Sequence, residues 1–387
     1  MNTNGASPIV KQMIVILTLV LLFCSACNFP LSTPTPESSH AEDETEPAET
    51  RSTATPISIE STLEKDCIPT LPGTPTQGEA YATVIEPFDL LVSSGNRIYG
   101  LIRRPDPARY ADLCFPAVVL VPGGINPGRM EAYGQTARAL SEAGMVVVTF
   151  NAEGRVDASP DDIRSEGTED YNGFRNQDTL CELVSYTIQL PYVITENVGI
   201  KTQSFGITMG AGCAGRHPEI PIKYLVDGEG PPNSFVTCHE PRALDDDPSN
   251  DKHETIYGIL NHYSIYRDPS PENRAFWEER EAERFIGSFR GRYLRLQAEW
   301  DHSQPPDNEA EITIFHLPPL WWQNKHTTDI VNIAVQGGVP WVRVNLLEQG
   351  NPVNATYDLD HPPVYLPGKL ADKPWDVRAI LEMALMP

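Results

Sequence analysis

Beyond residue 80, apolar positions recur with two periods, and stretches of the two kinds alternate along the chain. The runs "FDLLVSS" and "RIYGLIRRP" flank Gly95-Asn96, which predicts two strands joined as a hairpin. "PAVVLVPGG" is an unbroken β-branched run ending in glycines, the pattern of a strand covered on both faces. "RMEAYGQTARALSEAG" has helical spacing with a stop at Gly144, and "MVVVTFN" reads as the next buried strand. The alternation continues through the amphipathic "NQDTLCELVSYTIQL", the strand "NVGIKTQ", the small-residue helix "FGITMGAGCAGRH" and the strand "IKYLVDGEG". After an interruption it resumes with "RYLRLQAEWD", "TTDIVNIAVQGG", "WVRVNLLE" and "KPWDVRAILEMAL". Repeated βα units of this kind predict an α/β fold with a mostly parallel central sheet flanked by helices.

The interruption, at about 231–291, is acidic and rich in aromatic residues. Its segments "HETIYGILNHYSIYRD" and "RAFWEEREAERFIGSF" predict helices outside the sheet, an inserted cap over the strand ends. The cap belongs to one domain, residues 79–387, with a core large enough to be stable alone. Residues 28–78 are dominated by Pro, Thr, Ser and Glu, have too little apolar surface to offset the entropy of ordering, and read as a solvated tether. Ahead of them, Lys11 precedes the apolar run "MIVILTLVLLF", too short for a comfortable membrane span but laid out like a secretory signal. The stretch Cys24-Ser25-Ala26-Cys27 resembles the lipobox of bacterial lipoproteins, although Cys24 stands where leucine is usual. The resemblance implies a signal over 1–27, lipidation at Cys27 and an extracytoplasmic domain anchored to the cell membrane.

The net charge of −24 argues against nucleic acid as a partner and against attraction to anionic lipid, and otherwise signals solubility. Cys67, Cys114, Cys181, Cys213 and Cys238 follow Cys27 without a CxxC pair or zinc-type spacing, so no metal site is expected. One or two disulfides are compatible with the compartment, and the odd count leaves a free thiol; spacing assigns no pairing. The oxygens of "DDDPSND" do not have EF-hand spacing and read as a solvated loop.

The candidate chemistry lies at "TQSFG", where a strand gives way to a small-residue helix. With the order of elements, this turn resembles the nucleophile elbow of the α/β-hydrolase fold, and the two-strand start and cap resemble its dienelactone-hydrolase and acyl-peptidase branches. The family has small residues two before and two after the nucleophile; Gly206 keeps the second place and Thr202 departs from the first. The resemblance implies Ser204 as nucleophile. It also implies Asp301, in "AEWDHSQP", as the orienting acid and His361, in "DLDHPPVY", as the base. Asp227 in "LVDGEGP" is the alternative acid, with Glu229 near the same mouth, and His302 and His326 are the other candidate bases. The oxyanion donors would be the backbone N–H of Phe205 and that of Gly124 or Ile125 in "VPGGINPG".

Trp277, Trp300, Trp321 and Trp322 are candidates either for a pocket lining or for packing. The expected activity is hydrolysis of an ester or related acyl bond in a small molecule or a peptide, with no cofactor. The contrasting expectation, from Thr202 and the distant His361, is an inactive binding lipoprotein that keeps the elbow for packing.

Overall fold

The computed structural model describes residues 67–73, 75, 80–234, 237, 271, 273–298, 319–347 and 374–387. In chain order the elements are β1 (Ile68–Pro69), β2 (Thr83–Leu91), β3 (Arg97–Pro105), α1 (Pro107–Tyr110) and β4 (Leu113–Val121). There follow a 3-10 turn (Arg129–Tyr133), α2 (Gln135–Glu142), β5 (Val146–Phe150), α3 (Phe174–Gln189), β6 (Val193–Gln203), α4 (Gly206–Arg216) and β7 (Tyr224–Gly228). The chain continues with α5 (Arg274–Glu278), α6 (Glu283–Ile286), β8 (Arg292–Ala298), α7 (Pro319–Gln336), β9 (Trp341–Leu347) and α8 (Trp375–Leu385).

The strands form one sheet in the order β2-β3-β5-β4-β6-β7-β8-β9, with β1 added to β4. β3 runs antiparallel to β2 and β5, and the pairs from β5 through β9 are parallel. This order, with helical crossovers on both faces, is that of the α/β-hydrolase fold. Alternate residues of each strand supply two cores. Val119, Val148, Ile200 and Leu225 pack with α3, α4 and α7 on one face. Val118, Val147, Tyr224, Val226 and Leu294 pack with α2 and α8 on the other. The central strands are apolar at nearly every position because both of their faces are covered.

Several expectations are refined. The helical run beginning at Arg129 is split, because the chain is extended at Gly134 (ψ 165°) between the 3-10 turn and α2. The segment "RAFWEEREAERFIGSF" forms two short helices rather than one, and α7 begins at Pro319, well before the Thr327 that periodicity suggested. Residues 67–73 and 75 of the 28–78 stretch expected as a tether are among the described residues. Ile68 and Pro69 pair with Leu113 and Cys114 of β4, and the disulfide Cys67–Cys114 fixes them there. A second disulfide, Cys181–Cys213, joins α3 to α4. Cys238 lies outside the described residues.

Candidate active site

The sheet order reverses around β4, whose crossover leads outward to β5 while β6 lies on its other side. Crossovers leaving the carboxyl ends of β4 and β6 therefore run to opposite sides, the topological switch point at which open α/β sheets usually bind ligands. Both stretches singled out from the sequence lie at this place: "PGGIN" follows β4, and Ser204 follows β6.

Ser204 sits between β6 and α4 with φ +48°, a left-handed conformation that is uncommon for serine. Its N–H donates to Gly228 O at the end of β7 (2.8 Å), and its carbonyl accepts from Ile207 N–H in the first turn of α4 (3.0 Å). The strand thus turns into the helix within two residues, at a backbone cost of roughly 1–3 kcal/mol that the surrounding hydrogen bonds hold in place. Because the peptide is planar and trans, a Ser204 carbonyl aimed into the helix directs the Phe205 N–H the opposite way, out of the helix start.

Small residues permit the turn. A Cβ on Gly206 would collide with Pro122 O, so only glycine lets α4 start this close to the loop after β4. Thr202, the departure from the family pattern, is fully buried, and its Cγ2 occupies the space that a Cβ on Gly210 would take. The bulk missing from α4 is thus present on β6, and the close strand–helix contact survives with the two residue sizes exchanged.

The loop after β4 passes beside the serine. A Cβ built on Gly123 would lie 3.4 Å from Ser204 Cβ. Gly124 has φ +61°, and Asn126 N–H donates to Gly123 O (3.3 Å), closing a tight turn. Phe205 packs with Tyr171 and with Trp277 of α5, and Ile125 and Phe276 lie against them. Of the four tryptophans, Trp277 is therefore brought to the candidate site, in a buried apolar cluster with Phe205 against which the partly buried Ile125 packs.

The alternative acid is engaged elsewhere. Asp227 is fully buried at the end of β7, where Oδ2 accepts from Arg295 Nη1 (2.6 Å) and from the Tyr293 hydroxyl (2.7 Å), and Oδ1 accepts from Gly230 N–H (3.1 Å). Arg295 also donates to Gln297 Oε1 and Gly230 O, and Thr327 of α7 donates to the same Gln297 oxygen. Burial and the Asp227 charge push the Tyr293 phenol well above its ordinary pKa, so it remains a hydrogen-bond donor. Glu229 follows with φ +56°, its N–H donating to Leu296 O (3.1 Å). On the other face of β6, Lys201 Nζ donates to Gln203 Oε1 (2.9 Å); burial lowers the Lys201 pKa and raises that of nearby Glu131.

Asp301, His361, His302, Trp300, Cys27 and "DDDPSND" lie outside the described residues. His326, Trp321 and Trp322 fall in α7, in a part where the backbone alone is described. Among the described residues, no group of histidine, cysteine and carboxylate side chains could hold a metal ion, and no helix is long and apolar enough to cross a membrane.

Sequence reasoning missed Asn172. It has φ +63°, is fully buried, and its Nδ2 donates both to Gly124 O (3.2 Å) and to Phe205 O (3.0 Å). The Asn172-Gly173 dipeptide signals a turn, but nothing in a local pattern points to a contact 33 residues away in the elbow.

The sheet order is that of the α/β-hydrolase fold. Similar solved structures include fungal esterases from Rhizomucor miehei, at 14% identity over 79% of this chain and 84% of that chain with a TM-score of 0.48. The acylaminoacyl peptidase of Pyrococcus horikoshii aligns at 13% identity over 69% of this chain and 37% of that chain, TM-score 0.47. An acetyl xylan esterase from a Paenibacillus species aligns at 12% identity over 70% and 80% of the two chains, TM-score 0.46. These likenesses are at the level of the fold, and the chain spans only 32–37% of the length of the peptidases among them. No family model and no curated protein matches the sequence.

Proposed function

We propose that this protein is a serine hydrolase acting on an ester or related acyl bond, held outside the cytoplasm by a lipid on Cys27. The observation that carries the reading is Ser204 at φ +48° at the β6–α4 junction, beside the glycine loop after β4. A serine in this left-handed turn stands above the strand ends, the placement that a nucleophile at a strand-to-helix elbow needs.

In this mechanism Ser204 Oγ attacks the acyl carbon while His361 takes its proton, and Asp301 orients and stabilises the resulting imidazolium. The carbonyl oxygen becomes an oxyanion held by the N–H groups of Phe205 and of Gly124 or Ile125; one such donor is worth roughly 10²–10³ in rate. His361 then protonates the leaving group as the acyl-enzyme forms, and water repeats the sequence to release the acid. Asp301 is preferred to Asp227 because Asp227 is already engaged by Arg295, Tyr293 and Gly230. The disulfides Cys67–Cys114 and Cys181–Cys213 suit an oxidising compartment and so support the extracytoplasmic reading.

Labelling of the full-length protein with a fluorophosphonate tests the mechanism, comparing wild type with Ser204→Ala, His361→Ala and Asp301→Asn. Labelling should vanish in the first variant and slow by orders of magnitude in the others. A folded wild type that resists the probe would return the protein to the binding-lipoprotein alternative. Paired ester and peptide substrate screens then decide the bond cleaved.

A further inference from the structure

The geometry points to Asn172 as a positioning residue that sets the oxyanion site by tying its two loops to one buried amide; this inference rests on the hydrolase reading above. The loop after β4 and the elbow after β6 belong to different crossovers; β4 and β6 pair as far as Val121 and Thr202, and the two loops approach each other at Gly123 and Gly206. An oxyanion site works only when both donors converge on one point, which calls for a further link between the loops beyond these contacts.

Asn172 makes that link directly. Its two Nδ2 hydrogens go to Gly124 O (3.2 Å) and Phe205 O (3.0 Å), one to each loop. A carbonyl held on one side of a planar trans peptide places the following N–H on the opposite side. Fixing Gly124 O therefore fixes the direction of the Ile125 N–H, and fixing Phe205 O fixes the peptide that follows the elbow's own donor.

The amide's orientation is set in turn. Arg155 Nη2 donates to Asn172 Oδ1 (2.6 Å), and since a guanidinium carries only donors, the atom facing it must be the oxygen. Arg155 is itself held by Glu169, through Nε to Oε2 (2.7 Å) and Nη2 to Oε1 (3.0 Å). The Asn172 backbone is equally constrained: its N–H donates to Asn176 Oδ1 (3.1 Å) and its carbonyl accepts from Gln177 Nε2 (3.1 Å). The preceding residues are gripped by Arg280, following α5 in the insertion, which donates to Tyr171 O (2.9 Å) and to Asp170 O (2.5 Å). The inserted segment is thereby connected to the oxyanion loops through Tyr171 and Asn172.

Residue type matches both demands on the position. Asparagine is among the few side chains that tolerate a left-handed backbone, and its amide supplies two donors and an acceptor in one plane. Asn172→Gly keeps the backbone and deletes the amide, so it separates the brace from conformational strain. Asn172→Asp keeps the shape and the pairing with Arg155 but turns an oxygen toward two carbonyls.

The test compares the full-length wild type with both variants. It uses the fluorophosphonate labelling rate, kcat and KM for a p-nitrophenyl ester, inhibition by phenylboronic acid as an oxyanion mimic, and thermal melting. In either variant that remains folded, the labelling rate and kcat should fall about 10–100-fold, the scale of a misplacement of about 1 Å, with KM little changed. Boronic acid binding should weaken by a similar factor. A folded variant with wild-type kcat and boronic acid affinity, altered only in melting temperature, overturns the proposal even if the hydrolase reading stands. An unreactive wild type overturns both.

Discussion

Replacing Gly210 by alanine would put a methyl group where Thr202 Cγ2 already lies, with Leu225 Cδ1 3.3 Å away on the other side. Both neighbours are fully buried, so the clash cannot be relieved into solvent. Overpacking of this kind costs about 2–3 kcal/mol, and the better helix propensity of alanine returns about 1 kcal/mol. The expected net destabilisation is therefore about 1–2 kcal/mol. Thr202→Ala removes the obstructing methyl and also a buried hydroxyl without a hydrogen-bond partner, so its own effect should be near zero. In the double variant the new alanine methyl fills the vacated space, and stability should return to the wild-type value or slightly above it. The cycle thus predicts about 1–2 kcal/mol of favourable coupling, measured from urea unfolding of the four proteins. Fluorophosphonate labelling should follow the same pattern, slowed in Gly210→Ala and restored in the double variant, because the contact sets the seat of the elbow. Additivity within about 0.5 kcal/mol would refute the claim that Thr202 and Gly210 have exchanged sizes across the strand–helix contact.

Removing the Cys181–Cys213 cross-link as Cys181→Ala/Cys213→Ala should cost up to about 4 kcal/mol by loop entropy for a closed loop of this length, read from the urea midpoint of the double variant. Arg295→Met should cost about 3–5 kcal/mol, because it leaves Asp227 buried without its cation; a stability loss below 1 kcal/mol would show that the pair is not as dry as its geometry indicates. His217, after α4, has its pKa raised chiefly by its hydrogen bond to Asp178 of α3 (2.8 Å). A raised folded-state pKa contributes stability that is fully present below the ordinary histidine value of about 6.5 and is lost as pH rises through the folded value. Unfolding free energies from pH 5.5 to 8.5 should therefore fall by less in Asp178→Asn than in wild type, and parallel curves would count against the coupling.

The elements were legible because their signals are local. An unbroken apolar run as short, β-branched and glycine-terminated as "PAVVLVPGG" reads as a covered strand, and helical spacing followed by Gly144 marks its own stop. The same holds for the elbow: Ser204 was found because a strand pattern and a small-residue helix meet there, and the left-handed backbone at that residue is what the juncture demands. Element boundaries were less legible, since Gly134 divides one helical run and α7 extends back to Pro319 through residues whose pattern alone did not predict a helix.

What the sequence by itself determined is therefore the succession of strands and helices and the strand-to-helix turn at which the candidate nucleophile stands, both of which depend on neighbouring residues. What only the tertiary structure decided depends on residues far apart in the chain. Cysteine spacing allowed several pairings, and only the packing of α3 on α4 and of β1 on β4 brings Cys181 to Cys213 and Cys67 to Cys114. Thr202 was a departure from the family pattern until Gly210 was seen across from it, and Asp227 was an alternative acid until Arg295 was found paired with it from the next strand. Asn172 carried only the turn signal of Asn172-Gly173, because a side chain that bridges two loops has its meaning in their meeting, and no local period records which loops the sheet will bring together.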